Sequence, residues 1–276
     1  MRIDAHQHFW RLADREGQWP PAALAAIHRD FMPHDLLPQL QRTGVEGTVL
    51  VQSLPSVADT RFLLQLADQH AFVRGVVGWV DIKAGDAISQ IDELARHPRL
   101  KGLRPMLQDM ADDAWIADPV LDAPVAAMQG HRLCFDALVV PRQLGALTWF
   151  ARRHPGVPIV IDHAAKPHIA SGELQPWLAD MSALASLPHV HCKLSGLLTE
   201  AGAAPDAGQL QPYVQAIYRL FGPERLLWGS DWPVLQLAGR YESWLAMSHH
   251  LCRAQGADDA AMDAIFGGNA QRFYQL

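Results

Sequence analysis

The side chains best suited to chemistry begin at the start of the chain, in the run Ile3-Asp4-Ala5-His6-Gln7-His8-Phe9-Trp10. Strand side chains alternate with a period of two, so an extended run puts Asp4, His6 and His8 on one face. Three polar groups on one face of a buried strand are costly unless they are paired or ligating. Imidazoles can ligate a metal, move a proton or polarise a carbonyl. Related groups recur far downstream: Asp162, His163 and Lys166 in one segment, and Asp231 in Trp228-Gly229-Ser230-Asp231-Trp232-Pro233. A carboxylate base with several imidazoles and nearby cations has the parts needed to activate water and stabilise an oxyanion. His-x-His alone occurs by chance, so the reading depends on whether the fold brings these segments together.

The elements that must do so alternate along the chain. Short apolar runs read as strands near 3–8, 47–52, 73–80, 100–105, 133–139, 158–162, 189–194 and 225–229. Helical spacing lies between them. Phe62, Leu63, Leu66 and Ala67 share a face within 57–70; Leu174, Trp177, Leu178, Met181 and Leu184 do so within 173–187; Val214, Ile217, Tyr218 and Phe221 follow. Eight strand–helix units with right-handed crossovers close into an α/β fold, a (β/α)8 TIM barrel, distorted in places, with its active site at the C-terminal strand ends. A doubly wound open sheet would place a glycine-rich phosphate turn after the first strand, where His6, His8 and two aromatics stand instead. The expected organisation is one domain over 1–276, with an irregular stretch at about 9–33 that hangs over the barrel mouth as a partial lid.

Composition narrows the partners. The chain has 276 residues, 49% of them hydrophobic, and a formal net charge of −6; its pI is near 6.1. That balance argues against nucleic acid as a partner. No apolar run reaches the roughly 18 residues of a membrane span, and Asp4, His6 and His8 interrupt any signal-peptide core. Three widely spaced cysteines without CxxC form no disulfide framework, and a cytoplasmic setting is expected. Oligomeric state is not legible.

At the C-terminal strand ends the polar residues collect. His6 and His8 end the first strand; Arg104 ends the fourth, with Gln108 and Asp109 beyond it. Asp136 is on the fifth, Asp162 and His163 end the sixth, His191, Lys193 and Ser195 lie along the seventh, and Asp231 and Trp232 follow the eighth. Only four of the 23 basic residues are lysines, and Lys101, Lys166 and Lys193 fall in or just after strands rather than on helix surfaces. Lys166 and Lys193 are therefore expected to contact substrate or a carboxylate, and Lys101, on the opposite face from Arg104, to be structural.

The segments Asp4-Ala5-His6-Gln7-His8-Phe9-Trp10, Ile161-Asp162-His163-Ala164-Ala165-Lys166-Pro167, Cys192-Lys193-Leu194-Ser195-Gly196-Leu197 and Trp228-Gly229-Ser230-Asp231-Trp232-Pro233 resemble the amidohydrolase superfamily, in its lactonase branch. The resemblance spans nearly the whole chain. It implies a distorted (β/α)8 barrel whose catalytic positions map onto His6, His8, His163 and Asp231. Metal-dependent members usually supply another histidine from strand five, where Asp136 stands here. Losing a nitrogen ligand weakens a zinc site. His6, His8, His163 and Asp231 remain an optional ligand set for one weakly bound divalent cation, zinc or manganese, and the reaction is expected to need none.

The expected substrate is a small lactone, most simply a sugar lactone opened by water attack on its carbonyl. Asp231 is the expected base; His163 and one of His6 or His8 are the donors to the carbonyl oxygen. Arg104, Gln108, Asp136, Lys166, Lys193 and Trp232 are the expected substrate contacts. A dicarboxylate lactone would call for several converging arginines. A metal-dependent decarboxylase of an unsaturated or aromatic acid is the other alternative, and would want a firmly held ion. Met106, standing where the resemblance to fuconolactone hydrolases leads one to expect a polar residue, argues against that particular sugar.

Overall fold

Eight parallel strands, taken in chain order, form the wall that carries the site. They are β1 (Ile3–Gln7), β2 (Gly47–Val51), β3 (Val73–Gly78), β4 (Leu100–Leu103), β5 (Cys134–Ala137), β6 (Ile159–Ile161), β7 (Val190–Leu194) and β8 (Leu226–Trp228). The computed structural model describes residues 1–202 and 204–276. Each strand pairs in parallel with the next from β1 through β8, with register shifts in the first three pairings. The last gap closes just beyond β8. There the Asp231 amide donates to His6 O at 2.8 Å, and the His8 amide donates to Trp232 O at 2.7 Å.

Helices cover the outside of this (β/α)8 barrel, among them Pro33–Thr43, Val57–Gln69, Leu144–Arg153, Ala207–Phe221 and Tyr241–Ala254. Their ends follow local chemistry. Ser56 caps Val57–Gln69 by accepting from the amides of Ala58 and Asp59, and Gly44 ends Pro33–Thr43 in the left-handed conformation. The helix expected over 173–187 is shorter, Trp177–Ala185, because Pro176 precedes its first turn and Leu174 stays outside. Phe62 is only partly buried, while Leu63, Leu66 and Ala67 face the core.

Inside the barrel the lower half is filled with side chains. Ile3, Ala5, Val49, Val51, Val77, Cys134, Val160 and Leu227 pack against Phe273 and Tyr274 of the C-terminal helix Asn269–Tyr274, which stoppers the N-terminal end. Lys101 donates to Gln275 O at 2.9 Å at that end, a structural contact. His191 is also at that end, its ring 4.8 Å from Phe273.

Strict alternation fails in β1. The register with β2 shifts between Asp4 and Gln7. Ala5 packs in the barrel interior while His6 also turns inward, as a bulge allows. Asp4 therefore does not share a face with the two histidines. Its carboxylate accepts from the Ser230 amide at 2.8 Å, the His6 amide at 3.1 Å and the Tyr241 hydroxyl at 2.9 Å. Asp4 clasps the β1–β8 seam.

Candidate active site

A cavity of about 360 Å³ opens at the C-terminal strand ends. His8, Arg104, Gln108, His163, Lys166 and Asp231 line it, so the chain ends of β1, β4, β6 and β8 converge as the strand pattern requires. Ser53, Asp109, Thr199 and Glu200 add polar surface. Trp19, Leu24, Met106, Leu138, Val234 and Leu237 form its apolar side. Trp19 and Leu24 come from the irregular 9–33 stretch. That stretch is anchored by the buried Arg15, which donates to Trp19 O at 2.9 Å and to Ser53 Oγ at 2.9 Å.

Asp231 is the centre. Its Oδ1 lies 3.2 Å from His8 Nε2, 3.7 Å from His6 Nε2 and 3.8 Å from His163 Nε2. Burial works against its ionisation, but the imidazoles of His163, His8 and His6 outweigh it and hold the carboxyl well below the usual range. Burial lowers all three imidazoles in turn, that of His163 to about 4. At neutral pH the site thus holds a carboxylate among weakly basic rings.

Each ring is fixed by its second nitrogen. His8 Nδ1 is 2.7 Å from Val51 O, which can only accept, so Nδ1 carries the proton. A neutral His8 then turns the Nε2 lone pair toward Asp231 Oδ1. The 3.2 Å between them leaves a place that one incoming proton can take. His163 Nδ1 pairs with Ser195 Oγ at 2.9 Å. Backbone shape aims His163 as well: residues His163 to Lys166 all have positive φ, a left-handed turn leaving β6. Gly196, also left-handed, passes so close that a Cβ there would sit 2.4 Å from His163 Nδ1.

Under the cavity floor lies a second polar layer. Lys193 Nζ is 2.6 Å from Asp136 Oδ2, 2.9 Å from Asp162 Oδ1 and 3.1 Å from His6 Nδ1. The Tyr274 hydroxyl donates to Asp136 Oδ2 at 2.7 Å. Burial alone would lower Lys193, but the two carboxylates reverse this and raise it. Arg104 Nη1 donates to Asp162 Oδ2 at 3.1 Å, and its Nη2 donates to Gln52 O. Burial raises Asp162, yet Lys193, His6 and Arg104 bring it well below its ordinary value.

Residues 3–276 match the family model for amidohydrolase. The chain belongs to the amidohydrolase family. An L-fucono-1,5-lactonase of Burkholderia ambifaria is 57% identical over 280 residues, covering 100% of this chain and 96% of that protein. An L-fucono-1,5-lactonase of Burkholderia multivorans is 37% identical, with the same coverage of each. An amidohydrolase structure from Burkholderia multivorans with bound zinc is 38% identical, has a TM-score of 0.93 and matches 100% of this chain and 99% of that one.

Whether this amidohydrolase is laid out for such an ion can be read from its donors. Ligand atoms of His6, His163 and Asp231 lie within 4.8 Å of one another. Nitrogen and carboxylate oxygen suit zinc, but each imidazole must offer a lone pair. His8 does so through its bond to Val51 O. His6 does not: its Nδ1 faces the Lys193 ammonium, which can only donate, so the proton of the neutral ring falls on Nε2, the nitrogen turned toward Asp231, and no lone pair is left there. The set as hydrogen-bonded does not fit a metal at His6, and no step is routed through one.

Of the other expected contacts in this amidohydrolase, Asp136 and Lys193 are fully buried in the layer below and do not line the cavity. Trp232 is also away from the lining, packed edge-on against Phe31 at 5.2 Å and Phe9 at 5.9 Å. Sequence reasoning overlooked Glu200, whose carboxyl is 3.9 Å from Lys166 Nζ and is raised by burial despite that cation. No strand or motif announces it, because it lies in the short helix Leu197–Glu200 after β7. Ser195 stood in a recognised segment, and its role became visible only through His163. Among the described residues no helix is long and apolar enough to cross a membrane.

Proposed function

We propose that this protein hydrolyses a six-membered sugar lactone, L-fucono-1,5-lactone or a close analogue, by adding water to the ring carbonyl. The observation that carries the reading is the Asp231 carboxylate ringed by three imidazole Nε2 atoms at the base of a cavity of sugar size. Water attacks the carbonyl carbon and loses its proton to Asp231; the carbon–oxygen ring bond then breaks, giving a hydroxy acid. A carboxylate with a depressed pKa is a weak base. Its proximity to His8 answers this, since the proton arriving on Asp231 fits between Oδ1 and the His8 Nε2 lone pair. His163 and the guanidinium of Arg104, both on the lining, face the carbonyl oxygen as charge develops on it. General base catalysis contributes about 10²–10⁴-fold and each oxyanion donor about 10²–10³-fold, enough together for a reactive ester.

Substrate recognition follows the two sides of the cavity. Lys166, Glu200 and Gln108 address the hydroxyls, and Trp19, Leu24, Leu138, Val234 and Leu237 receive the C–H face and the methyl of a deoxy sugar. Asp136 and Lys193 support the site from below and Trp232 from behind, which replaces their expected part as contacts. Met106 no longer speaks against fuconolactone. Two relatives named for that activity are 57% and 37% identical, and the Met106 sulfur is within reach of Gln52 Nε2 at 3.4 Å. A dicarboxylate lactone is disfavoured because both cations on the lining already face a carboxylate, Arg104 that of Asp162 and Lys166 that of Glu200.

The test is turnover of a panel of 1,4- and 1,5-sugar lactones, with a dicarboxylate lactone and an aromatic carboxylic acid alongside, followed by acid release in a pH-indicator assay. The 1,5-lactone of fuconic acid should give the highest kcat/KM. Release from the dicarboxylate lactone alone, or loss of carbon dioxide from the aromatic acid, would overturn the reading.

A further inference from the structure

The most unusual feature outside the cavity is the cation beneath it. An ammonium group has three N–H donors and no acceptor. Lys193 Nζ has three neighbours at bonding range, Asp136 Oδ2, Asp162 Oδ1 and His6 Nδ1, at 2.6, 2.9 and 3.1 Å. Two of these are carboxylate oxygens, which keep the amine protonated. The third must therefore accept too. A neutral imidazole has one acceptor nitrogen and one donor, so acceptance at Nδ1 leaves the proton on Nε2.

We propose that Lys193 is a positioning residue that commits His6 to the Nε2–H tautomer, so that His6 offers a donor, rather than a ligand lone pair, toward Asp231. Asp231 Oδ1 lies 3.7 Å from His6 Nε2. An N–H aimed there keeps the carboxylate ionised and oriented while its second oxygen takes the water. A divalent ion at the same place needs the opposite tautomer. His6 Nδ1–H would then have to turn to Asp162 Oδ1, 3.4 Å away, and Lys193 would lose one of its three acceptors. Arg104 Nη1, 3.4 Å from His6 Nε2, is the competing donor, but that nitrogen already serves Asp162 Oδ2 at the shorter distance of 3.1 Å. The layer under the floor thus selects between two uses of one histidine. The consequence for catalysis rests on the lactonase reading, whereas the tautomer does not.

The tautomer is read directly from the ¹⁵N shifts of His6 in histidine-labelled protein, with His6→Asn giving the assignment. Nε2 should be the protonated nitrogen in the unsubstituted protein. In Lys193→Met the proton should move to Nδ1, zinc should bind about 10–100-fold tighter, the usual scale for changing a partner of a ligating histidine, and turnover should fall. Removing the cation strands two buried carboxylates, so Lys193→Met/Asp136→Asn is the second variant, with the same expectations and less damage to folding. Protonated Nδ1 in the unsubstituted protein would overturn the proposal, as would an unmoved proton in both variants. Because the shifts need no substrate, failure of the lactonase reading leaves this result intact.

Discussion

Replacing Gly196 by alanine tests the aim of His163 while leaving the chemical identity of every catalytic group unchanged. Gly196 has φ +65, and an ideal Cβ would lie 2.4, 2.6 and 2.9 Å from His163 Nδ1, Cγ and Cβ. Carbon contacts settle near 3.5–4.0 Å, so the ring must retreat by about 1 Å. That displacement also breaks the 2.9 Å pairing of Nδ1 with Ser195 Oγ. Misplacing a catalytic group by about 1 Å costs about 10²-fold. Left-handed backbone costs a non-glycine residue about 1–2 kcal/mol, which lowers Tm by about 2–8 °C in a chain of this size. Gly172 supplies the control, since it has φ +75 and open space around its Cβ position. Gly172→Ala should lower Tm by a similar amount and leave kcat alone. Gly196→Ala should lower Tm and reduce kcat about 10²-fold, with KM little changed, in steady-state lactone hydrolysis beside a thermal melt. If both variants melt lower and both keep full kcat, His163 does not need its position, and the assignment of carbonyl polarisation to it fails.

Asp231→Asn preserves size and cannot accept a proton; kcat should fall about 10²–10⁴-fold at nearly constant KM, and near-normal turnover would move the base elsewhere. Prolonged treatment with a chelator should leave most lactonase activity, measured beside metal content; complete loss restored by zinc or manganese would make Asp231 a ligand first. Burial pushes Asp4 up to about 6 from 3.8, so between those values the folded chain holds more protons than the unfolded one, and stability from this group falls as pH rises through the window. The fall is up to about 3 kcal/mol, and denaturant titrations at several pH values should show it in the unsubstituted protein and lose it in Asp4→Asn.

The barrel was legible because strands covered on both faces read as short apolar runs punctuated by turns, and because function gathers where those runs stop. That rule, together with the His-x-His spacing and the family resemblance, singled out His6, His8, Arg104, His163 and Asp231, and the structure gathers them at one end. Depth was not legible. Alternation says which face Asp136 and Lys193 occupy but not how far down the barrel they sit, and each satisfies the other's charge below the cavity. The β1 bulge was invisible for a related reason: one extra residue turns Asp4 outward while leaving the composition of the run unchanged. Trp232 follows Asp231 directly, and its neighbour's backbone, rather than its own type, turns the ring away from the cavity.

That backbone links closure of the fold to chemistry. Asp231 has φ +58, and His163 has φ +52, in a region that costs a non-glycine residue about 1–3 kcal/mol. Such conformations persist only where the surroundings over-determine them. At Asp231 the surroundings are the seam itself: its own amide on His6 O, the Ser230 amide on Asp4, and the Trp232 amide on Ser230 Oγ at 3.0 Å. Opening the seam would relax the left-handed residue and swing its carboxylate away from the three imidazoles in the same movement. The hydrogen bonds that complete the barrel are therefore also those that hold the base in place.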